Sequence, residues 1–213
     1  MTGLDLSDDE ELSSSFEPCQ KEITEEEMRN LPWTSRDLEM MPDDGKRYEI
    51  VDGELYVSKQ PHYHHQHFCT RLGGLLDAWS MQTGLGEAIV GPGLIFGEHD
   101  DVAPDIIWIS QERLVTALQA DGKLHSAPEL VVEVLSPGVP NEHRDREIKM
   151  KLYSRRGVLE YWIVSWQERR IEIYRRVETV LTLVSTLYES DLLQSPLLPG
   201  FTCQVSRLFM GIK

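Results

Sequence analysis

The apolar residues of this chain change rhythm from segment to segment, and each rhythm predicts an element. RYEIVDGELYVS alternates on both sides of Asp52-Gly53, a two-residue turn signal, and reads as a β-hairpin. Residues 65–82 carry Phe68, Leu72, Leu75, Leu76 and Trp79 at helical spacing, with Gly84 and Gly86 to end the helix. EAIVGPGLIFG reads as a strand pair broken by Gly91-Pro92-Gly93, and VAPDIIWIS as a strand that starts after Pro104. ELVVEVLS, between Pro128 and Pro137, and EYWIVS are nearly continuous apolar runs, the pattern of strands buried on both faces. Residues 142–156 form a charged helix between those two runs, and RRIEIYRR with VLTLVSTLY alternates as a second hairpin. Residues 26–41 predict a short helix with Thr24 as N-cap and Glu27 at the capping-box position, closed by the turn Pro42-Asp43-Asp44-Gly45. One helix set between two apolar strands in a mixed order implies an α/β (mixed α+β) fold. Its central mixed sheet is flanked by helices.

Composition narrows the class. With 40% apolar and 27% charged residues the chain is an ordinary globular one, long enough for a domain over 31–213 and a tail over 1–30. No apolar run approaches the ~18 residues of a membrane span, and the acidic start lacks a secretory pattern. Cys19, Cys69 and Cys203 are odd in number and far apart, which fits a reducing cytoplasm better than a disulfide framework.

The net charge of −15 argues against a general nucleic-acid binder, but the charge is unevenly spread. Residues 1–30 hold ten acids against Lys21 and Arg29, a net of −8. This acidic segment predicts a mobile tail. It either solubilises the protein or competes with DNA for a basic cleft. Residues 141–180 carry ten Lys or Arg against seven acids. Such a stretch is either a basic surface or a set of solvated faces.

Glu133 is the most informative residue. It interrupts the apolar run Leu130–Leu135, and a buried carboxylate needs a cation, a metal or hydrogen-bond donors. An arginine partner in the core or an exposed strand end would also explain it. Asp105 follows Pro104 at the start of another apolar strand, where an aspartate is often only a turn former. If the two strands are neighbours, Asp105 and Glu133 form a pair suited to Mg²⁺ or Mn²⁺. Asp145, Lys149 and Tyr153 are spaced i, i+4, i+8 on the following helix. Lys149 could balance the carboxylates and stabilise a phosphoryl transition state. The spacing by itself favours an ordinary surface Asp–Lys pair. Glu49 in the first hairpin either points into the same site or is solvated. His62, His64, His65 and His67 lack partners at zinc spacing and read as a polar helix start. No phosphate loop or nucleophile elbow is present.

Six segments resemble, in order, the Uma-two family of restriction endonucleases. They are RYEIVDGELY, the His65-Gln66 pair, VAPDIIWIS, APELVVEVLSP, DREIKMKLYSRRGVLEYWIV and SPLLPGF, over about residues 46–210. The resemblance implies a restriction-endonuclease-like fold of the PD-(D/E)XK superfamily and a Mg²⁺ site. It maps the metal ligands onto Asp105 and Glu133, the lysine onto Lys149, and a further acid onto Glu49. In the basic superfamily motif the lysine stands two residues after the second acid, where this chain has Leu135. After WIV the family commonly has an aspartate, and this chain has Ser165-Trp166. The expectation is a metal-dependent endonuclease acting on DNA as a homodimer. A non-catalytic nuclease-fold protein that binds nucleic acid or a protein is the alternative, followed by another metal-dependent hydrolase on the same carboxylates.

Overall fold

In the computed structural model, which describes residues 31–212, the continuous apolar runs form the centre of one sheet. The alternating segments form its edge and a second sheet. The expected tail and the Thr24–Glu27 cap lie outside the described residues. Chain order begins with helix α1 (Ser35–Leu38), hairpin strands β1 (Arg47–Val51) and β2 (Glu54–Ser58), and the long helix α2 (Tyr63–Thr83). Strands β3 (Gly86–Val90), β4 (Leu94–Gly97), β5 (Asp100–Val102) and β6 (Ile106–Ser110) follow, then helix α3 (Gln111–Ala117) and β7 (Leu130–Val134). A helical crossover comes next: α4 (Val139–His143), a π-helical turn (Arg144–Ile148) and α5 (Lys149–Arg156). The chain ends in β8 (Glu160–Ser165), β9 (Arg170–Val177), β10 (Val180–Leu187), the short β11 (Leu192–Leu193) and β12 (Cys203–Gln204), and α6 (Val205–Phe209).

The larger sheet has the order β10-β9-β8-β7-β6-β3, and the smaller one β2-β1-β5-β4. Within the larger sheet β7 and β8 run parallel and the other pairs are antiparallel. A parallel pair needs a crossover, and α4 to α5 supply it. This is the mixed, helix-flanked architecture that the sequence order implies.

Both faces of the large sheet are covered, which is why its central strands read as unbroken apolar runs. On one face Trp108, Leu130, Val132, Val134 and Trp162 pack with Phe68, Cys69, Leu72 and Leu76 of α2. On the other, Ile107, Ile109, Val131 and Ile163 pack with Leu152 and Tyr153 of α5 and with Val51, Leu94 and Val102 of the smaller sheet. Side chains alternate along a strand, so Glu133 shares its face with Val131. That is the face met by α5 and by the β1 hairpin.

Four local expectations change. The capping box of the described part of the first helix is Thr34–Asp37, whose side chains bond at 2.7 Å, and the helix spans only Ser35–Leu38. The strands of EAIVGPGLIFG form but do not pair: β3 joins the large sheet and β4 the small one. Gly91, at φ 65°, turns the chain from one to the other. Gly84, at φ 67°, caps α2 alone, while Gly86 opens β3, where its bare Cα lets Trp108 and the Ile109 carbonyl approach closely. The crossover helix starts three residues earlier than predicted and is interrupted by the π turn.

Candidate active site

Strand pairing brings the two acids together. β6 pairs with β7 in the register Ile106↔Val132, so one step further Asp105 faces Glu133 at the ends of their strands. Asp105 Oδ2 accepts the Val134 N–H at 2.8 Å. Its Oδ1 lies 3.0 Å from the Arg47 guanidinium and 3.1 Å from His65 Nε2. Burial raises the pKa of Asp105, but His65, Arg47 and the Val134 N–H outweigh it and hold the carboxyl well below the usual range.

Lys149 is 1% exposed and lies between two carboxylates, 2.8 Å from Glu49 and 2.9 Å from Glu133. Burial works against its charge, but Glu133, Glu49 and Asp145 prevail and keep it protonated. Tyr153 donates to Glu133 Oε1 at 2.8 Å, and the Ala103 N–H donates to Glu49 Oε1 at 2.9 Å. One ammonium cannot neutralise two buried acids. Glu49, which also has Arg144 and the Ala103 N–H, is lowered despite its burial. Glu133 is pushed up to about 8, first by burial and then by Asp105, Asp145 and Glu49, which together overcome Lys149. The pair therefore holds its charge on Lys149 and Glu49.

The structure thus brings Asp105, Glu133, Lys149 and Glu49 to one site. Glu133 pairs with a lysine rather than an arginine, and Glu49 is buried, not solvated. The surface-pair reading of Asp145 and Lys149 does not hold, because both are buried. A π turn carries the Lys149 N–H to the Arg144 carbonyl, and Lys149 makes its ion pairs with Glu49 and Glu133. Asp145 pairs instead with Arg144 at 3.0 Å.

Asp105, Glu133, Asp145 and Lys149 line a cavity of about 360 Å³ together with Lys46, Arg47, Lys59, Ser136 and Arg144. Of the cations in the 141–180 stretch, Arg144 and Lys149 border it. Arg155 pairs with Asp52 and Arg156 with Asp100, away from it. Three rim cations come from the hairpin region instead. Sequence reasoning missed Arg47 and His65. Arg47 alternates with Glu49 and Val51, so period-2 reading of the hairpin would place all three on one face. His65 continues the stripe Cys69, Leu72 and Leu76 and is 4% exposed, so it belongs to the buried face of α2 and not to a polar helix start. His62 fills that role, accepting the His64 N–H at 3.1 Å and stacking on Trp166.

The donor set fits a hard divalent cation. Four buried acids (Glu49, Asp105, Glu133, Asp145) face three cations (Arg47, Arg144, Lys149), which leaves one negative charge over. Glu49 Oε2 is a buried oxygen with no hydrogen-bond partner among the described residues. His65, Cys69 and Asp105 form a second grouping, with ligand atoms all within 4.8 Å of one another.

A family profile described as "Putative restriction endonuclease" matches residues 35–206, most of the chain. The chain belongs to the Uma2 family. This Uma2 fold is shared by a crystal structure described as "a putative nuclease belonging to DUF820" from Anabaena variabilis. The two align with a TM-score of 0.67 at 17% identity, over 84% of this chain and 98% of the other. That likeness establishes the restriction-endonuclease-like fold. No curated protein matches the sequence. No helix among the described residues is long and apolar enough to cross a membrane.

Proposed function

We propose that this Uma2 chain is a divalent-metal-dependent endonuclease that hydrolyses phosphodiester bonds of DNA. The observation that carries the reading is the opposition of Asp105 and Glu133 at the ends of paired central strands, with buried Lys149 against Glu133. Asp105 and Glu133 would hold Mg²⁺ or Mn²⁺, whose preference is for carboxylate oxygens. Such an ion, when bound, polarises a phosphoryl oxygen and acidifies water. Glu49 and Glu133 fix Lys149 and keep it charged. The ammonium faces the cavity, where it orients the attacking water and offsets charge growing on the phosphoryl group. Lys46, Arg47, Lys59 and Arg144 supply phosphate contacts, which position a strand without reading its sequence. A homodimer would present two such sites to a duplex, and a reducing cytoplasm suits the free thiols of Cys69 and Cys203.

The net charge of −15 favours a second reading, a nuclease fold that binds a partner without turnover. Calorimetric Mn²⁺ binding and plasmid nicking, measured on the parent and on Asp105→Ala, separate the two. Loss of both in the variant is the expected result. A parent that binds Mn²⁺ but cuts no DNA or RNA would overturn the nuclease reading, and cleavage of only a small phosphoester would move the substrate away from nucleic acid.

A further inference from the structure

Cys69 has no part in the proposed hydrolysis, yet it lies directly behind Asp105. It sits one helical turn after His65 on α2, so the imidazole and the thiol share the buried face of that helix. Their ligand atoms and an Asp105 oxygen all lie within 4.8 Å of one another. His65 Nε2 and Asp105 Oδ1 are 3.1 Å apart. Two ligands each ~2.0 Å from a tetrahedral zinc ion stand roughly 3.3 Å from one another, so that pair is already spaced for coordination. A thiol, an imidazole and one carboxylate make a softer set than the all-oxygen pair of Asp105 and Glu133.

We infer that His65, Cys69 and Asp105 form a binding site for a thiophilic divalent ion such as Zn²⁺. His65 and Asp105 border the cavity, so a fourth ligand, water, can enter from that side. Zinc sites with three protein ligands keep such an open position. Binding converts the Cys69 thiol to thiolate, whose proton leaves to solvent, and shifts the ring hydrogen of His65 from Nε2 to the otherwise unpartnered Nδ1. Arg47 must release Asp105 Oδ1. Its side chain is 34% exposed and can retain its 3.0 Å hydrogen bond to the Ala103 carbonyl. Because the site takes Asp105, it excludes a hard ion held jointly by Asp105 and Glu133. On the nuclease reading, Zn²⁺ therefore inhibits cleavage in the presence of Mg²⁺.

The test is Co²⁺ titration of the full chain under reducing conditions, read by the thiolate-to-cobalt charge-transfer band in the near ultraviolet. The band should saturate at one equivalent and vanish in Cys69→Ser, with affinity falling by about 100-fold or more, the upper end of what even outer-shell changes cost. A Cys19→Ser/Cys203→Ser double variant leaves Cys69 as the sole thiol without altering the site, and it should keep the band. Absence of the band in the parent, its survival in Cys69→Ser, or its loss in the double variant would overturn the assignment. No nucleic acid is present, so this result and the nicking result fail independently.

Discussion

Replacing Glu133 with glutamine should stabilise the metal-free chain at alkaline pH. Glu133 is 2% exposed, and burial together with three neighbouring acids pushes it up to about 8 from an ordinary 4.5. The unfolded chain loses this proton near 4.5 and the folded chain near 8. Between those values the folded state holds a proton that the unfolded state has lost. Stability contributed by this group therefore falls as the pH rises through that window. Such a displacement corresponds to a ceiling of roughly 5 kcal/mol. Lys149 is shared with Glu49, which reduces what the single substitution can recover. The amide oxygen still accepts from Lys149 and Tyr153, so neither donor is left bare. The expected gain is about 1–3 kcal/mol at pH 9, shrinking to within about 0.5 kcal/mol at pH 5. Urea unfolding of parent and variant, in chelator, across pH 5 to 9 measures it. A difference that stays flat with pH, or a variant weaker than the parent at pH 9, would refute the reasoning. The same variant should lose Mn²⁺ affinity, so stability and metal binding move in opposite directions.

Two further changes probe the surroundings. Lys149→Met leaves Glu49 and Glu133 buried without their shared cation, and chemical unfolding at pH 8 should show a loss of about 3–5 kcal/mol. A loss below ~1 kcal/mol would mean that the ion triad is not formed in solution. Lys59 is exposed, so stability should stay within ~0.5 kcal/mol in Lys59→Ala. On the nuclease reading it should weaken DNA binding and lower the salt slope by about one. An unchanged slope in fluorescence anisotropy would remove Lys59 from the DNA path.

The mixed, helix-flanked sheet was legible because its central strands announce themselves, and the family resemblance supplied its restriction-endonuclease-like character. Leu130–Val134 and Glu160–Ser165 are buried throughout and mostly apolar since both faces of the sheet are covered, and the helix between them forces a crossover. Glu133 was legible for the same reason, as a carboxylate where only apolar residues should stand. The partners were harder. Register decides whether Asp105 meets Glu133, and register depends on pairing that a single chain does not spell out. Arg47 and His65 look solvated by residue type, and only their phase on β1 and α2 turns them inward. The π turn was hidden because a 3.6-residue period assumes regular hydrogen bonding. The ion pairs were hidden with it: Asp145 pairs with its neighbour Arg144, and Lys149 with Glu49 and Glu133.

That pairing bears on how the site can be both folded and competent. The cations are divided among the acids: Arg144 takes Asp145, Arg47 takes Asp105, and Lys149 is left to Glu49 and Glu133. Each acid but Glu133 then has a cation of its own. The unmatched charge falls on the residue that faces Asp105 across the strand pair, and there the protein settles it with a proton when metal-free. A divalent ion can replace that proton, with Arg47 yielding its place on Asp105 and the pairs of Glu49 and Asp145 left in place. The apparent metal affinity of the parent should therefore rise as the pH climbs through about 8, since fewer chains need to release the Glu133 proton. Calorimetry at pH 6.5, 7.5 and 8.5 reads this directly. An affinity that is level across those values would mean that Glu133 is already ionised in the metal-free chain, and that the surplus charge is carried without a proton.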